Sequence, residues 1–230
     1  MKNRILYILL LTLSTNILSQ EYYAFPDSLT IWSVNTDKYT VNGDTIINDQ
    51  AYKKYYYSSG DSVFSYKNAA YFAAVREDNQ KRIWRIERDA FEEKLLYDFS
   101  KSIGDTIVVH PMSANYFGRD SYHVTIVRVD SIIVHNSYRK RYTIGNVKGQ
   151  TFVPKYWIEG IGSTRGLIDS GISQQLRGNI GYPELLCFTT EQYTYHVSSN
   201  KDCFRPITLP RRAENFIIKK ELDELLSLIE

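Results

Sequence analysis

Among the side chains that could do chemistry, Glu159 stands out, because Trp157 and Ile158 precede it and apolar neighbours can desolvate a carboxyl and raise its pKa towards general-acid range. A glycosidase needs two carboxylates, roughly 5 to 10 Å apart across a cleft. The chain has acids in plenty, and its sequence leaves such an arrangement open. The competing reading of Glu159 is structural: its carboxylate caps or hydrogen-bonds the glycine turn that follows. Trp157 and Glu159 are the candidate site residues.

That turn, Gly160-Ile161-Gly162-Ser163-Thr164-Arg165-Gly166, resembles a phosphate loop at first sight. It is one residue too long for the dinucleotide fingerprint and lacks the lysine of a P-loop, and no strand–helix–strand unit surrounds it. Its glycines are expected to permit a tight turn with left-handed backbone. Ser163 does not sit in a nucleophile elbow, since Gly162 adjoins it and Gly166 is three residues on. His110, His123, His135 and His196 lack the i, i+4 spacing of a helical zinc site. No catalytic, cofactor-binding or metal-ligating set is predicted.

Cys187 and Cys203 are the only cysteines. In an oxidising compartment they are expected to form a disulfide, worth about 3 kcal/mol in the chain-entropy view of a loop this short. The alternative is two free thiols, one buried in the apolar run Leu185-Leu186-Cys187-Phe188.

Residues 1–20 read as a signal peptide: Lys2 and Arg4 precede an apolar run over residues 5–13, and a small residue, Ser19, lies near the expected cleavage point. The run is too short to span a bilayer, and no later stretch is long enough. The mature protein is therefore expected to be secreted, periplasmic or at the cell surface. The 28 basic residues nearly balance 26 acidic ones, leaving a formal charge of +2 mixed along the chain, which speaks against nucleic acid as a partner.

The elements that must position these residues are strands. Tyrosine is the commonest aromatic at 19 residues, proline is scarce at six, and short alternating segments recur between Gly, Asn and Asp turns. A hairpin is predicted with Asn42-Gly43 as a type I′ turn between 37–41 and 44–47. Further strands are expected at 52–57, 70–75, 82–87, 95–99, 105–110, 122–134, 138–144 and 152–158. In Tyr55-Tyr56-Tyr57 at least one ring must face inward. The arginines of 82–88 are expected to be solvated on a charged outer edge.

Together these predict an all-β domain over 21–204, an antiparallel meander forming a barrel or a two-sheet sandwich. Asp44-Thr45-Ile46-Ile47 with Tyr52 echoes Asp130-Ser131-Ile132-Ile133 with Tyr138, an offset of 130 − 44 = 86 residues. Duplication and convergence on one good hairpin pattern both explain it. Residues 205–213 read as a linker. A short C-terminal α-helix over 214–230 follows, with Ile218, Leu222, Leu225, Leu226 and Ile229 on one stripe that is expected to pack on the β domain.

Four segments carry a resemblance: Tyr39 to Asn48 (YTVNGDTIIN), Val75-Arg76-Glu77-Asp78, Leu95 to Ser100 (LLYDFS) with Ile103-Gly104-Asp105-Thr106, and Trp157 to Ser163 (WIEGIGS). As a set they resemble a family of exported Bacteroidota proteins, many of which end in a sorting domain of the type IX secretion system. The resemblance implies export or envelope residence and no particular activity. The chain departs from the family pattern where the helix from Glu214 stands in place of the sorting domain.

The functional expectation is a non-enzymatic binding or structural module of the cell envelope or exterior, with a glycan or another envelope protein as partner. The alternative is a secreted, glycosidase-like hydrolase using carboxylates. An exposed aromatic patch would favour the first, and a pocket with two convergent acids the second.

Overall fold

The computed structural model describes residues 21–110, 121–146, 148–149, 155–167, 183–197 and 201–205. The expected signal peptide, the expected C-terminal helix and all but Arg205 of the expected linker lie outside the described residues.

Among the described residues the protein is all-β, with one 3-10 turn at Tyr66–Asn68. Eight strands form the larger sheet: β1 (Ile31–Val34), β2 (Asp37–Ile47), β3 (Gln50–Ser59), β4 (Ala70–Glu77), β5 (Arg82–Glu87), β6 (Lys94–Asp98), β12 (Leu185–Thr189) and β13 (Thr194–His196). The smaller sheet has five: β7 (Thr106–Val109), β8 (Tyr122–Val134), β9 (Ser137–Gly145), β10 (Lys155–Ile158) and β11 (Gly162–Ser163). All the pairings are antiparallel.

Both sheets run largely as meanders, β1 to β6 and β7 to β11, in the orders β13-β12-β1-β2-β3-β4-β5-β6 and β11-β10-β9-β8-β7. The exception is β12, which returns from late in the chain to pair with β1, Ser33 opposite Cys187. Register shifts at Ser33/Val34, Val41/Asp44, Tyr55/Tyr56 and Ile83/Trp84 bend the larger sheet, as bulges do, and it curls into half a barrel.

One core fills the space between the sheets. Trp32 of β1 donates its indole N–H to the Ile161 carbonyl at 2.8 Å. The Tyr97 ring of β6 meets Trp157 of β10 edge-on at 5.2 Å between centroids. The Tyr97 hydroxyl donates to the Leu167 carbonyl at 2.6 Å and accepts from the Ser163 amide at 3.2 Å, so the buried phenol is satisfied from both sides. Residues 21–27 run in beside this cluster: the Phe25 ring lies 5.8 Å from Tyr97, and its amide donates to Glu77 Oε2 at 2.7 Å.

Two sequence expectations are corrected, and one open alternative is narrowed. Asn42-Gly43 is not a hairpin turn; it is a bulge inside β2, with Gly43 at φ +77°. The turn falls at Asn48-Asp49, whose φ values of +51° and +59° give the type I′ form, because both sites offer residues that tolerate left-handed backbone. The decision is made by the longer ladder, which pairs Tyr39 with Tyr57 and Ile47 with Gln50.

The 86-residue echo does not mark two equivalent hairpins. Asp44 pairs with Lys53 in the larger sheet, while Asp130 pairs with Arg141 in the smaller one, although Lys53 aligns with Arg139 at that offset. The pattern is shared and the register is not.

The arginines of 82–88 are not uniformly solvated. Arg85 is 1 % exposed, ion-paired with Glu87 and donating to the His110 carbonyl at 2.5 Å. Positions 82 and 85 fall on opposite faces of a strand, so one of the two had to turn inward.

Candidate functional site

Glu159 and Trp157 are both interior, each 1 % exposed. Trp157 packs against Tyr97 and Phe99 within the core. The Glu159 carboxylate does not cap the glycine turn. It accepts from the Lys140 amide of β9 at 3.3 Å, because the turn that begins at Glu159 lies against that neighbouring strand. Burial pushes its pKa up, and the Lys140 amide together with the charges of Lys140, Lys81 and Arg139 pulls part of the way back.

The glycine turn is as expected: Gly160, Gly162 and Gly166 all have positive φ. A Cβ at Gly160 would stand 2.9 Å from the Ala24 carbonyl oxygen and 2.8 Å from the Arg139 guanidinium, so the site demands glycine on both counts. Arg139 is held there by its bond to the Glu159 carbonyl at 3.2 Å, by the Tyr193 hydroxyl at 2.7 Å and by the Tyr23 ring, 4.5 Å from centroid to guanidinium. These groups join the sheets; they do not open onto a cleft.

A groove of about 580 Å³ does gather acids, Asp27, Asp44 and Glu77, along with Tyr52, Lys53 and Arg76. Glu77 holds the Phe25 amide, and Asp44 is ion-paired with Lys53 at 2.6 Å. Arg76 is held by both oxygens of Glu93 at 2.6 and 2.7 Å. Glu159, the acid with a raised pKa, does not line it.

The histidines are dispersed. His135 stacks on Tyr193 at 4.7 Å, and His196 Nδ1 is 3.3 Å from Cys187 Sγ. Cys187, His196 and Cys203 cluster closely enough to suggest a metal, but the sulfurs form the expected disulfide, S–S 2.02 Å, and have no thiolate to offer.

The surface of the larger sheet facing away from the core carries the feature that sequence reasoning missed. Tyr56 and Tyr71 are register partners on β3 and β4, with ring centroids 6.0 Å apart. Tyr66, on the 3-10 turn, stands edge-on to Tyr56 at 5.9 Å and to Phe64 at 4.9 Å. Tyr66 is 49 % exposed and Val63 beside it is 74 % exposed. The tyrosine run at 55–57 was the signal available: Tyr55 and Tyr57 pack towards the core, leaving Tyr56 outside.

Further along the same face, Arg76 lies between the rings of Tyr52 and Trp84, 5.7 and 5.9 Å from their centroids. Arg82 covers Trp84 from its other side at 5.1 Å. Asp78 accepts from the Trp84 indole at 2.9 Å and from Arg82 Nε at 2.7 Å. Burial raises the Asp78 pKa, but the bonds from Trp84, Arg82 and Gln80 outweigh it and hold the carboxyl below its ordinary value.

Fold and surface together define an antiparallel β domain, stapled by one disulfide, with aromatic side chains displayed on its outer face. Comparison with protein-family models, curated proteins and solved structures finds no match to any of them.

Proposed function

We propose that this chain is a non-enzymatic binding module of the cell envelope or exterior, with a glycan as the partner its surface suits best. The observation that carries the reading is the patch of Tyr56, Phe64, Tyr66 and Tyr71, whose rings stand edge to face and partly in solvent. Such a patch offers apolar faces for sugar rings and phenol hydroxyls for their polar edges. The Cys187–Cys203 disulfide supports an oxidising compartment and hence export, in keeping with the leader-like first twenty residues.

Carboxylate hydrolysis is the weaker reading, since Glu77 and Asp44 of the groove are already bonded to the Phe25 amide and to Lys53, and Glu159 is buried away from it. The test is affinity electrophoresis of the mature chain through a panel of neutral polysaccharides. Tyr66→Ala is expected to weaken binding about tenfold, the effect of losing roughly 1.4 kcal/mol of ring contact, with the melting temperature unchanged. Binding untouched by Tyr66→Ala and Phe64→Ala would remove the patch from consideration. Release of new reducing ends would install the hydrolase reading instead.

A further inference from the structure

The two sheets meet at a second concavity, of about 450 Å³, whose chemistry differs from that of the groove and the aromatic patch. Three elements build it: the β4–β5 turn supplies Lys81, the segment after β6 supplies Lys101, and β9 supplies Lys140. Backbone bonds fix their relation. The Phe99 amide donates to the Lys81 carbonyl at 3.0 Å, and the Tyr142 hydroxyl donates to the Phe99 carbonyl at 2.9 Å. Phe99 and Tyr142 form an aromatic floor, and Gln80 and Ser102 add neutral polar groups to the wall.

None of the residues lining this cavity is acidic, and three of them are lysines; the Lys101 ammonium is 3.8 Å from Asp98, and the charges of Lys140 and Lys81 reach Glu159. The nearby acids are occupied. Asp98 accepts from the Ser100 amide at 3.0 Å and the Ser100 hydroxyl at 2.6 Å, and stands 3.8 Å from Lys101 Nζ. Asp105 accepts from the Ser102 amide at 2.9 Å, and Asp78 is bound to Arg82 and Trp84. Glu159, 1 % exposed, accepts from the Lys140 amide at 3.3 Å and lies within electrostatic reach of Lys81 and Lys140. Lys81 is further positioned by φ +62° and by the Tyr22 ring, 4.7 Å from its ammonium. In a chain whose charge is only +2, three lysines from three distant positions at one cavity are a local concentration.

We infer that this cavity between the sheets is a binding site for a sulfate or phosphate ester carried on a saccharide. Three lysines that line it from different elements offer compact, rotatable ammonium donors, which suit an oxyanion with tetrahedrally arranged oxygens, whereas a planar carboxylate is better matched by an arginine fork. The cavity also exceeds what a lone ion fills, and its aromatic floor suits a sugar ring. The site stands apart from the aromatic patch and does not depend on it.

The test compares dextran sulfate, unsubstituted dextran and inorganic sulfate as ligands of the mature chain, by calorimetry at constant ionic strength. Dextran sulfate is expected to bind and dextran not to bind. Lys81→Gln with Lys140→Gln is expected to weaken dextran sulfate about tenfold, as loss of charged contacts in a partly desolvated site does, while Lys148→Gln leaves it unchanged. Lys101→Gln, at a side chain 40 % exposed, is expected to weaken it in the same direction and serves if the double variant fails to fold. Saturation by inorganic sulfate alone, with the same dependence on these lysines, supports the site and makes the free ion its ligand. Equal binding of dextran and dextran sulfate, wild-type affinity in both cavity variants, or an equal loss in Lys148→Gln would overturn it.

Discussion

Trp32 and Trp84 lie on opposite faces of one sheet, and each donates its indole N–H, yet the two faces run on different energetics. Trp32 bonds a backbone carbonyl inside a core shared by both sheets and packs against Tyr55 and Phe188. Trp84 bonds a carboxylate and sits between two guanidinium groups at the edge of solvent. Burial of apolar surface dominates on the inner face, where charges such as Arg85 and Glu159 are tolerated only with fixed partners. Stacked charge and ring contacts are prominent on the outer face, where the Arg76–Glu93 and Arg82–Asp78 pairs are only partly buried.

Trp32→Ala probes the inner face and carries the largest expected effect: a loss of about 3 to 5 kcal/mol in denaturant unfolding, the cost of emptying a buried indole site. A loss near 1 kcal/mol would mean that the sheets do not share a core at β1.

An intermediate effect comes from pH, because the two faces respond with opposite sign. Glu159 has a raised pKa in the folded state, so the native form binds its proton more tightly than the unfolded chain does. Its contribution is greatest below the unfolded value of 4.5 and falls as pH rises towards the folded value. Asp78 has a lowered pKa, so its contribution is present above the unfolded value of 3.8 and is lost as pH falls through the folded one. Glu159→Gln is therefore expected to flatten the decline in stability above about pH 4.5, and Asp78→Asn to flatten the acid-side loss below about pH 3.8. Matching slopes in the two variants would erase the distinction between the faces.

Arg76→Ala gives the smallest effect, about 1 kcal/mol at low salt and less in about 1 M salt, because the Glu93 pair and the ring contacts are only partly buried. Insensitivity to salt would show that packing of the arginine stem is what holds that face.

Legibility in the sequence followed the range of the interactions. Strands β5 and β8 fall on the bounds expected from local alternation, and the disulfide followed from two cysteines near the end of the β region. β1 escaped notice because four residues are too few to show a period, and β12 read only as an apolar run that could bury a thiol. The hairpin turn was placed wrongly because Asn42-Gly43 suits a bulge as well as a type I′ turn, and only the pairing of whole strands separates the two. Lys81, Lys101 and Lys140 share no motif, since the cavity between the sheets is made by tertiary packing alone. Trp157 and Glu159 drew notice for apolar surroundings, which in the fold are the joint between the sheets.

The pairing of Ser33 with Cys187 spans 187 − 33 = 154 residues, with strands β2 to β11 falling inside that interval. Hairpins such as β2–β3 and β8–β9 close over two-residue turns and can form within microseconds, whereas the β1–β12 ladder must wait for a long loop to close. Until then the β1 edge stays open, able to recruit a strand from another chain. The β1–β12 ladder is thus the pairing of the larger sheet with the greatest loop-closure cost, and a chain emerging from its amino end has no β12 to cover that edge until residue 189 is made.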